Sequence, residues 1–279
     1  MGELSFVKYH GHGNDFLVAL DGTGLPGGDE LDADFVAGLC DRHRGVGADG
    51  VIVVRPPSGP GDVRMELRNA DGGRAETSGN GLRCLVLALV DAGLCTGPDV
   101  LVETDAGLRS VSVVERISDD CALTRAEMGT LTVGPPELAP LLGPDFSARH
   151  VDVGNPHLVI IGKDLEGVDI VELGRALEDA VPGGQNVEVA TPDSRGGLEL
   201  LVWERGAGVT EACGSGSCAA AAAARAAGLA GDHVRVQNPG GALDVDLTGD
   251  LEAPAVWLSG PACRVARIAV VPSGIDVLG

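Results

Sequence analysis

Cys213 and Ser78 are the side chains best placed to trade a proton with a substrate, and each heads the same kind of segment. Cys213-Gly214-Ser215-Gly216 runs into an alanine-rich stretch that stops at Gly228, and Ser78-Gly79-Asn80-Gly81 runs into a leucine-rich one that stops at Gly93. The interval from reactive residue to closing glycine is 15 residues in both, and the two segments lie 135 residues apart. The first turn of a helix carries N–H groups without partners and the positive end of the dipole, so such a mouth favours an anion. An N-cap needs only a polar side chain; glycines on both sides fit close approach of a ligand to bare backbone better. A cysteine at this position is expected to have its thiol pKa lowered from about 8.5, which makes a thiolate base. Cys40, Cys84, Cys95, Cys121, Cys218 and Cys263 read instead as inert thiols.

Around this pair stand polar groups that are individually ordinary. Asn14, Asn69, Asn155 and Asn186 each sit beside a turn or Pro/Gly signal, where asparagine is a common turn former. Together with Glu204 and Arg205 they offer amides, a carboxylate for an ammonium and a guanidinium for a carboxylate, which is what a zwitterion requires. His157, following Gly154-Asn155-Pro156, reads either as a packed histidine or as a group tuning a neighbouring acid or base.

The elements that position these residues recur. Gly13-Asn14 followed by Leu17-Val18 returns as Gly154-Asn155 followed by Leu158-Val159, 141 residues later. Asn69 precedes Ser78 by nine residues, and Glu204 precedes Cys213 by nine. Ordered recurrence at nearly one offset indicates an internal duplication. The expected fold is therefore α/β (α+β), with two pseudo-symmetric halves, each a set of strands wrapped around one buried helix. The expected halves are 1–118 plus 264–279 and 119–263, because a last strand near 265–271 returns to the first half. Gly45-Val46-Gly47-Ala48-Asp49-Gly50 matches a dinucleotide fingerprint but follows a helix and opens a strand, the reverse of what that motif needs.

Composition bounds the rest. The 279 residues are 44% hydrophobic and 3% aromatic, enough for a sizeable aliphatic core. A formal charge of −21 excludes phosphate-backbone binding, so no nucleic acid is expected as partner. Apolar runs such as 218–224 are too short for a membrane span. Irregular cysteine spacing and a start without a basic-then-apolar leader predict reduced thiols in the cytoplasm, and no CxxC pair supports a metal.

Five ordered motifs carry a resemblance: Lys8–Phe16 (KYHGHGNDF), Asn69–Arg83 (NADGGRAETSGNGLR), Gly154–His157 (GNPH), Glu204–Gly216 (ERGAGVTEACGSG) and Asn238–Gly241 (NPGG). Along nearly its whole length the sequence resembles the diaminopimelate epimerase family. That resemblance implies a cofactor-independent amino-acid epimerase with its active site in the cleft between two halves, interconverting LL- and meso-diaminopimelate for lysine and peptidoglycan synthesis. It implies proton transfer by Cys213 and the residue at 78, with His157 and Glu204 beside them. Asn14, Asn69, Asn155, Asn186, Glu204 and Arg205, with the backbone of Gly79, Asn80, Gly214 and Ser215, would bind the substrate. A small-molecule amino acid is the implied partner, and a homodimer is left open. Two departures stand out: the family's first catalytic cysteine falls on Ser78, and the glutamate usual after Arg-Gly-x-Gly is Val209. They leave two alternatives, a related one-base racemase, epimerase or dehydratase on another substrate, and an inactive amino-acid-binding homologue.

Overall fold

The computed structural model describes residues 3–22, 25–28, 30–95, 97, 99–138, 146–163, 165–272 and 275. In chain order the first elements are β1 (Leu4–Gly11), β2 (Asn14–Ala19), α1 (Ala33–Cys40), β3 (Gly50–Arg55), β4 (Val63–Asn69), α2 (Gly79–Asp91), β5 (Asp99–Thr104), β6 (Gly107–Arg116) and β7 (Cys121–Thr130). Next come β8 (Thr132–Val133), β9 (Glu137–Leu138), β10 (Ser147–Asp152), β11 (Pro156–Ile161), α3 (Ile170–Glu178), β12 (Asn186–Pro192) and β13 (Leu198–Glu204). The chain ends with β14 (Gly208–Val209), α4 (Gly214–Ala226), β15 (His233–Asn238), β16 (Gly241–Gly249) and the long β17 (Pro254–Val270).

Two compact units result, 1–126 with 261–279, and 127–260. The expected divisions at 118/119 and 263/264 fall eight residues before the first of these and three residues after the second. The physical reason is that the chain passes between units inside β7 and β17, so no linker composition marks the change.

The first unit begins with a hairpin. Gly11 pairs with Asn14, leaving His12 (φ 52) and Gly13 (φ 89) as a two-residue turn in the left-handed region that matches strand twist. That turn fixes where Asn14 starts β2. The pairings then run β2–β3 parallel, β3–β4 antiparallel, β4–β5 parallel and β5–β6 antiparallel. The second unit repeats the order: β11–β12 parallel, β12–β13 antiparallel, β13–β15 parallel, β15–β16 antiparallel. The far end of β17 pairs with β1, from Leu4↔Val270 to His10↔Cys263.

Each unit surrounds one helix. In α2, Gly79 to Leu89 are all buried, and Leu82, Leu85, Val86, Leu87 and Leu89 are fully so. Each such side chain contributes about 1.5–3 kcal/mol by leaving water, so a charge at Leu85 would undo the unit. In α4 the buried face is Cys218 and Ala219–Ala224, whose small side chains let strands approach closely. Both helices stop in the same way. Gly93 (φ 69) and Gly228 (φ 72) take the left-handed conformation, and Leu94 N and Leu229 N reach back to Leu89 O and Ala224 O.

Burial pushes the Cys40 and Cys84 thiols up to about 12 from 9.0. A folded-state pKa above the unfolded value gives stability that is complete below the unfolded value and is lost as pH rises through the folded one. The thermal midpoint is therefore expected to fall between about pH 9 and 12, less steeply in Cys84→Ala; melts with a flat midpoint across that window would contradict this burial.

The expectation that all seven cysteines are reduced thiols is corrected. Cys121 and Cys263 form a disulfide across 142 residues, because β7 and β17 bring them face to face. Irregular spacing carries no trace of such a pairing. No helix among the described residues is long and apolar enough to cross a membrane.

Candidate active site

The residues singled out from sequence fall into two groups, one in each unit. In the second unit, Cys213 caps α4 with extended backbone (φ −113, ψ 116), and its Sγ accepts from Gly216 N at 3.3 Å. Ser215 Oγ lies 3.4 Å from the same sulfur. Ser217 N closes onto Cys213 O at 3.0 Å, while Gly214 N and Ser215 N make no hydrogen bond among the described residues and are free to meet an anion. Asn238, from the NPGG stretch at the end of β15, fixes this mouth. Its Oδ1 accepts from Cys213 N at 3.4 Å and its Nδ2 donates to Ser217 Oγ at 3.0 Å.

Three ionisable side chains stand behind the thiol. Glu204 ends β13, with Thr210 Oγ1 donating to its Oε1 at 2.5 Å. Glu188 lies on β12 and is fully buried; Val159↔Glu188 and His157↔Asn186 set the register that brings it against β11. His157, equally buried, places Nδ1 2.7 Å from Glu188 Oε1 and Nε2 3.0 Å from Asn155 Oδ1. Gly216 explains how the carboxylate and helix mouth fit together. A Cβ there would lie 2.7 Å from Glu188 Oε1 and 3.3 Å from Cys213 Cβ, so only glycine leaves room.

This setting overturns the expected thiolate. Burial, then the charges of Glu204 and Glu188, push the Cys213 thiol well above its ordinary value, against the hydrogen bonds of Ser215 and Gly216 N. One N–H from the helix does not offset desolvation and two carboxylates. Burial, then Glu188, likewise raises the Glu204 carboxyl, against hydrogen bonds from Thr210 and the Cys213 thiol and the charge of His157. The resting state of Cys213 is therefore a protonated thiol, with the Glu204 and Glu188 carboxyl groups bearing on it.

Asn186 and Arg205 lie at the rim. Asn186 Nδ2 donates to Pro156 O at 3.1 Å and its Oδ1 accepts from Arg205 N at 3.0 Å, so this amide is held by backbone. The Arg205 guanidinium is exposed, with one bond to Gly183 O at 3.3 Å. Asn155 Nδ2 makes no hydrogen bond among the described residues. Val209 is 53% exposed on β14, so nothing of the missing glutamate is rebuilt there.

The first unit holds Ser78, Gly79, Asn80, Asn14 and Asn69. Ser78 caps α2 (φ −148, ψ 124), its Oγ accepting from Gly81 N at 3.0 Å. Asn80 Nδ2 donates to Asn14 Oδ1 at 3.0 Å, and Asn14 Nδ2 to Asp49 Oδ2 at 2.8 Å. Asp49 and Asp15 share Arg42, so Asn14 is held by an ionic network. Fully buried Arg83 bonds Asn80 Oδ1, Gly79 O and Pro261 O. Asn69 is exposed at the end of β4. Cys84 is fully buried within α2, away from its mouth.

The units match in backbone but not in chemistry. Phe16↔Gly50 and Val18↔Ile52 in the first unit correspond to His157↔Asn186 and Val159↔Glu188 in the second. A Cβ at Gly81 would lie 3.3 Å from Ile52 Cδ1, as one at Gly216 would meet Glu188 Oε1. Where the second unit has His157, Glu188 and Glu204, the first has Phe16, Ile52 and Asn69. Glu188 was missed from sequence because it lies in an apolar strand; aligning the duplicated strands would have exposed a lone charge opposite Ile52.

Comparisons with known proteins bear on this geometry. Residues 6–132 and 149–265 match the family described as diaminopimelate epimerase. A diaminopimelate epimerase of Prochlorococcus marinus is 38% identical over 93% of this chain and 90% of its own length. One from Synechococcus is 39% identical, over 94% of this chain and 96% of its own. Among solved structures, a phenazine biosynthesis protein of the PhzF family from Bacillus anthracis superposes with a TM-score of 0.77 at 16% identity, covering 97% of this chain and all of its own. A probable proline racemase from Agrobacterium radiobacter gives 0.74 at 19% identity, covering 96% and 93%. At those identities the likeness is of fold.

Proposed function

This chain belongs to the diaminopimelate epimerase family, and from that premise we propose that it inverts the α-carbon of diaminopimelate between the LL and meso forms without a cofactor. Cys213 and Ser78 take the two faces of that carbon unequally. The observation that supports this most is the surround of Cys213: a thiol at a helix mouth, with free N–H groups on Gly214 and Ser215 and the Glu204 carboxyl bearing on it.

The substrate α-carboxylate binds at the helix mouths, where Gly79, Asn80, Gly214 and Ser215 offer backbone and charge is stabilised as it develops. Its ammonium approaches Glu204 and its other groups meet Arg205 and the amides of Asn14, Asn69, Asn155 and Asn186. The ammonium offsets the Glu204 charge that disfavours the thiolate in the free protein. The thiol proton passes to Glu204, the thiolate removes the α-hydrogen as a proton, and the electron pair is held on carbon and carboxylate. Ser78 donates its hydroxyl proton to the opposite face and is reprotonated by water, and Glu204 gives up its proton to the hydroxide so formed. Because an alcohol is a much weaker acid than a thiol, the direction that starts at Ser78 is the slower, with the equilibrium constant unchanged. The protein works in the cytoplasm on a free amino acid.

A second reading is favoured by the apolar Phe16 and Ile52 behind Ser78: a one-base enzyme that labilises the α-hydrogen without inverting the centre. The test is LL-diaminopimelate in D₂O with the purified protein and no added cofactor. Conversion to meso with solvent deuterium at the inverted carbon supports epimerisation. Deuterium in recovered LL substrate without meso product assigns the one-base reaction, and no exchange despite binding defeats both.

A further inference from the structure

The buried His157–Glu188 contact fixes a proton count. Nε2 faces Asn155 Oδ1, an atom that only accepts, so Nε2 carries a hydrogen and donates it. Nδ1 then meets Glu188 Oε1 at 2.7 Å. A neutral imidazole with its hydrogen on Nε2 presents a lone pair at Nδ1, and a carboxylate presents only lone pairs. Two lone pairs do not close to that distance inside a protein, so one further hydrogen lies between them. The other carboxyl oxygen, Oε2, is buried with no hydrogen-bond partner. A full charge on such a group is costly, and sharing a proton relieves it.

The pair also adjoins the reacting thiol. Gly216 donates to Cys213 Sγ while its Cα faces Glu188 Oε1, so carboxyl group and sulfur share one glycine. The groups bearing on Cys213 are the carboxyls of Glu204 from β13 and Glu188 from β12, with the Ser215 hydroxyl and Gly216 N from α4. We propose that His157 and Glu188 hold one buried proton between them, and that this neutral pair spares Cys213 a second full negative charge beside it as its thiol proton passes to Glu204. Glu188 is then a positioning residue that acts through His157. The first unit, with Phe16 and Ile52 at these places, has no such pair behind Ser78. The functional half rests on the role given to Cys213 above; the measurements below read the free protein and need no turnover.

In protein labelled with ¹⁵N-histidine, the His157 signals, assigned by their loss in His157→Gln, are expected to show a hydrogen on Nε2 and a shared one at Nδ1. A ring with its only hydrogen on Nδ1 and a bare Nε2 would overturn the proposal, since the pair would then carry a full negative charge. Alkylation of Cys213 by iodoacetamide gives the second readout. Glutamine at 157 cannot hold the extra proton but donates to Glu188, which makes the carboxylate a stable charge. His157→Gln is expected to slow alkylation about tenfold at pH 8, one pKa unit of thiol, and His157→Gln/Glu188→Gln to restore it to within about threefold. Unchanged alkylation in the single variant, or no recovery in the double one, would overturn the proposal.

Discussion

Ser78→Cys raises the rate of LL-to-meso conversion by about a hundredfold, and of the reverse by more, if Ser78 is the limiting proton-transfer group. The hydroxyl is a poor acid and a worse base, whereas a thiol near its ordinary pKa of about 8.5 serves in either role. The substitution is structurally undemanding. Cys213 already shows a cysteine capping the equivalent helix, with Sγ 3.3 Å from Gly216 N where Ser78 Oγ lies 3.0 Å from Gly81 N. The gain should be larger for the direction that begins with abstraction at position 78. Initial rates from each isomer measure it, and rates within threefold of native in both directions would remove Ser78 from the proton path.

Cys213→Ala lowers turnover by about ten-thousandfold, the upper range for a positioned acid or base. It also removes the cap on Gly216 N, for about 1 kcal/mol of stability, too little to unfold a unit with a core of this size. Exchange of the α-hydrogen should vanish with inversion, because Glu204, bonded by Thr210 and acting through the thiol, does not itself take the place of Cys213 at the carbon. Cys84→Ala is the matched control: its thiol is fully buried a turn inside α2, so turnover should be retained. Activity that survives Cys213→Ala, or is lost only with Cys84, would reverse the roles.

Much of this was legible in the sequence. The repeated offset between Ser78 and Cys213 and between Asn14 and Asn155 gave away the duplication, because each pair marks the same backbone event, a helix mouth or a turn into a strand. Gly45–Gly50 was readable as a turn because order of elements, not composition, decides that motif. What stayed hidden depends on contacts between distant strands. The ionisation of Cys213 is set by Glu188 and Glu204, which reach it only through the register of β11, β12 and β13. The Cys121–Cys263 bond, the Asp15–Arg42–Asp49 network behind Asn14 and the Asn238 anchor have the same character. Local rules pointed to the helix field as dominant at Cys213, and burial with neighbouring charge won.

The central claim is that Cys213 removes the α-hydrogen and Ser78 supplies the proton that completes inversion. Ser78→Ala in D₂O, followed by α-proton NMR and stereoisomer composition, tests it most directly. The account predicts that the isomer addressed by Cys213 continues to exchange its α-hydrogen while inversion falls at least tenfold. Inversion at the native rate in Ser78→Ala would contradict it.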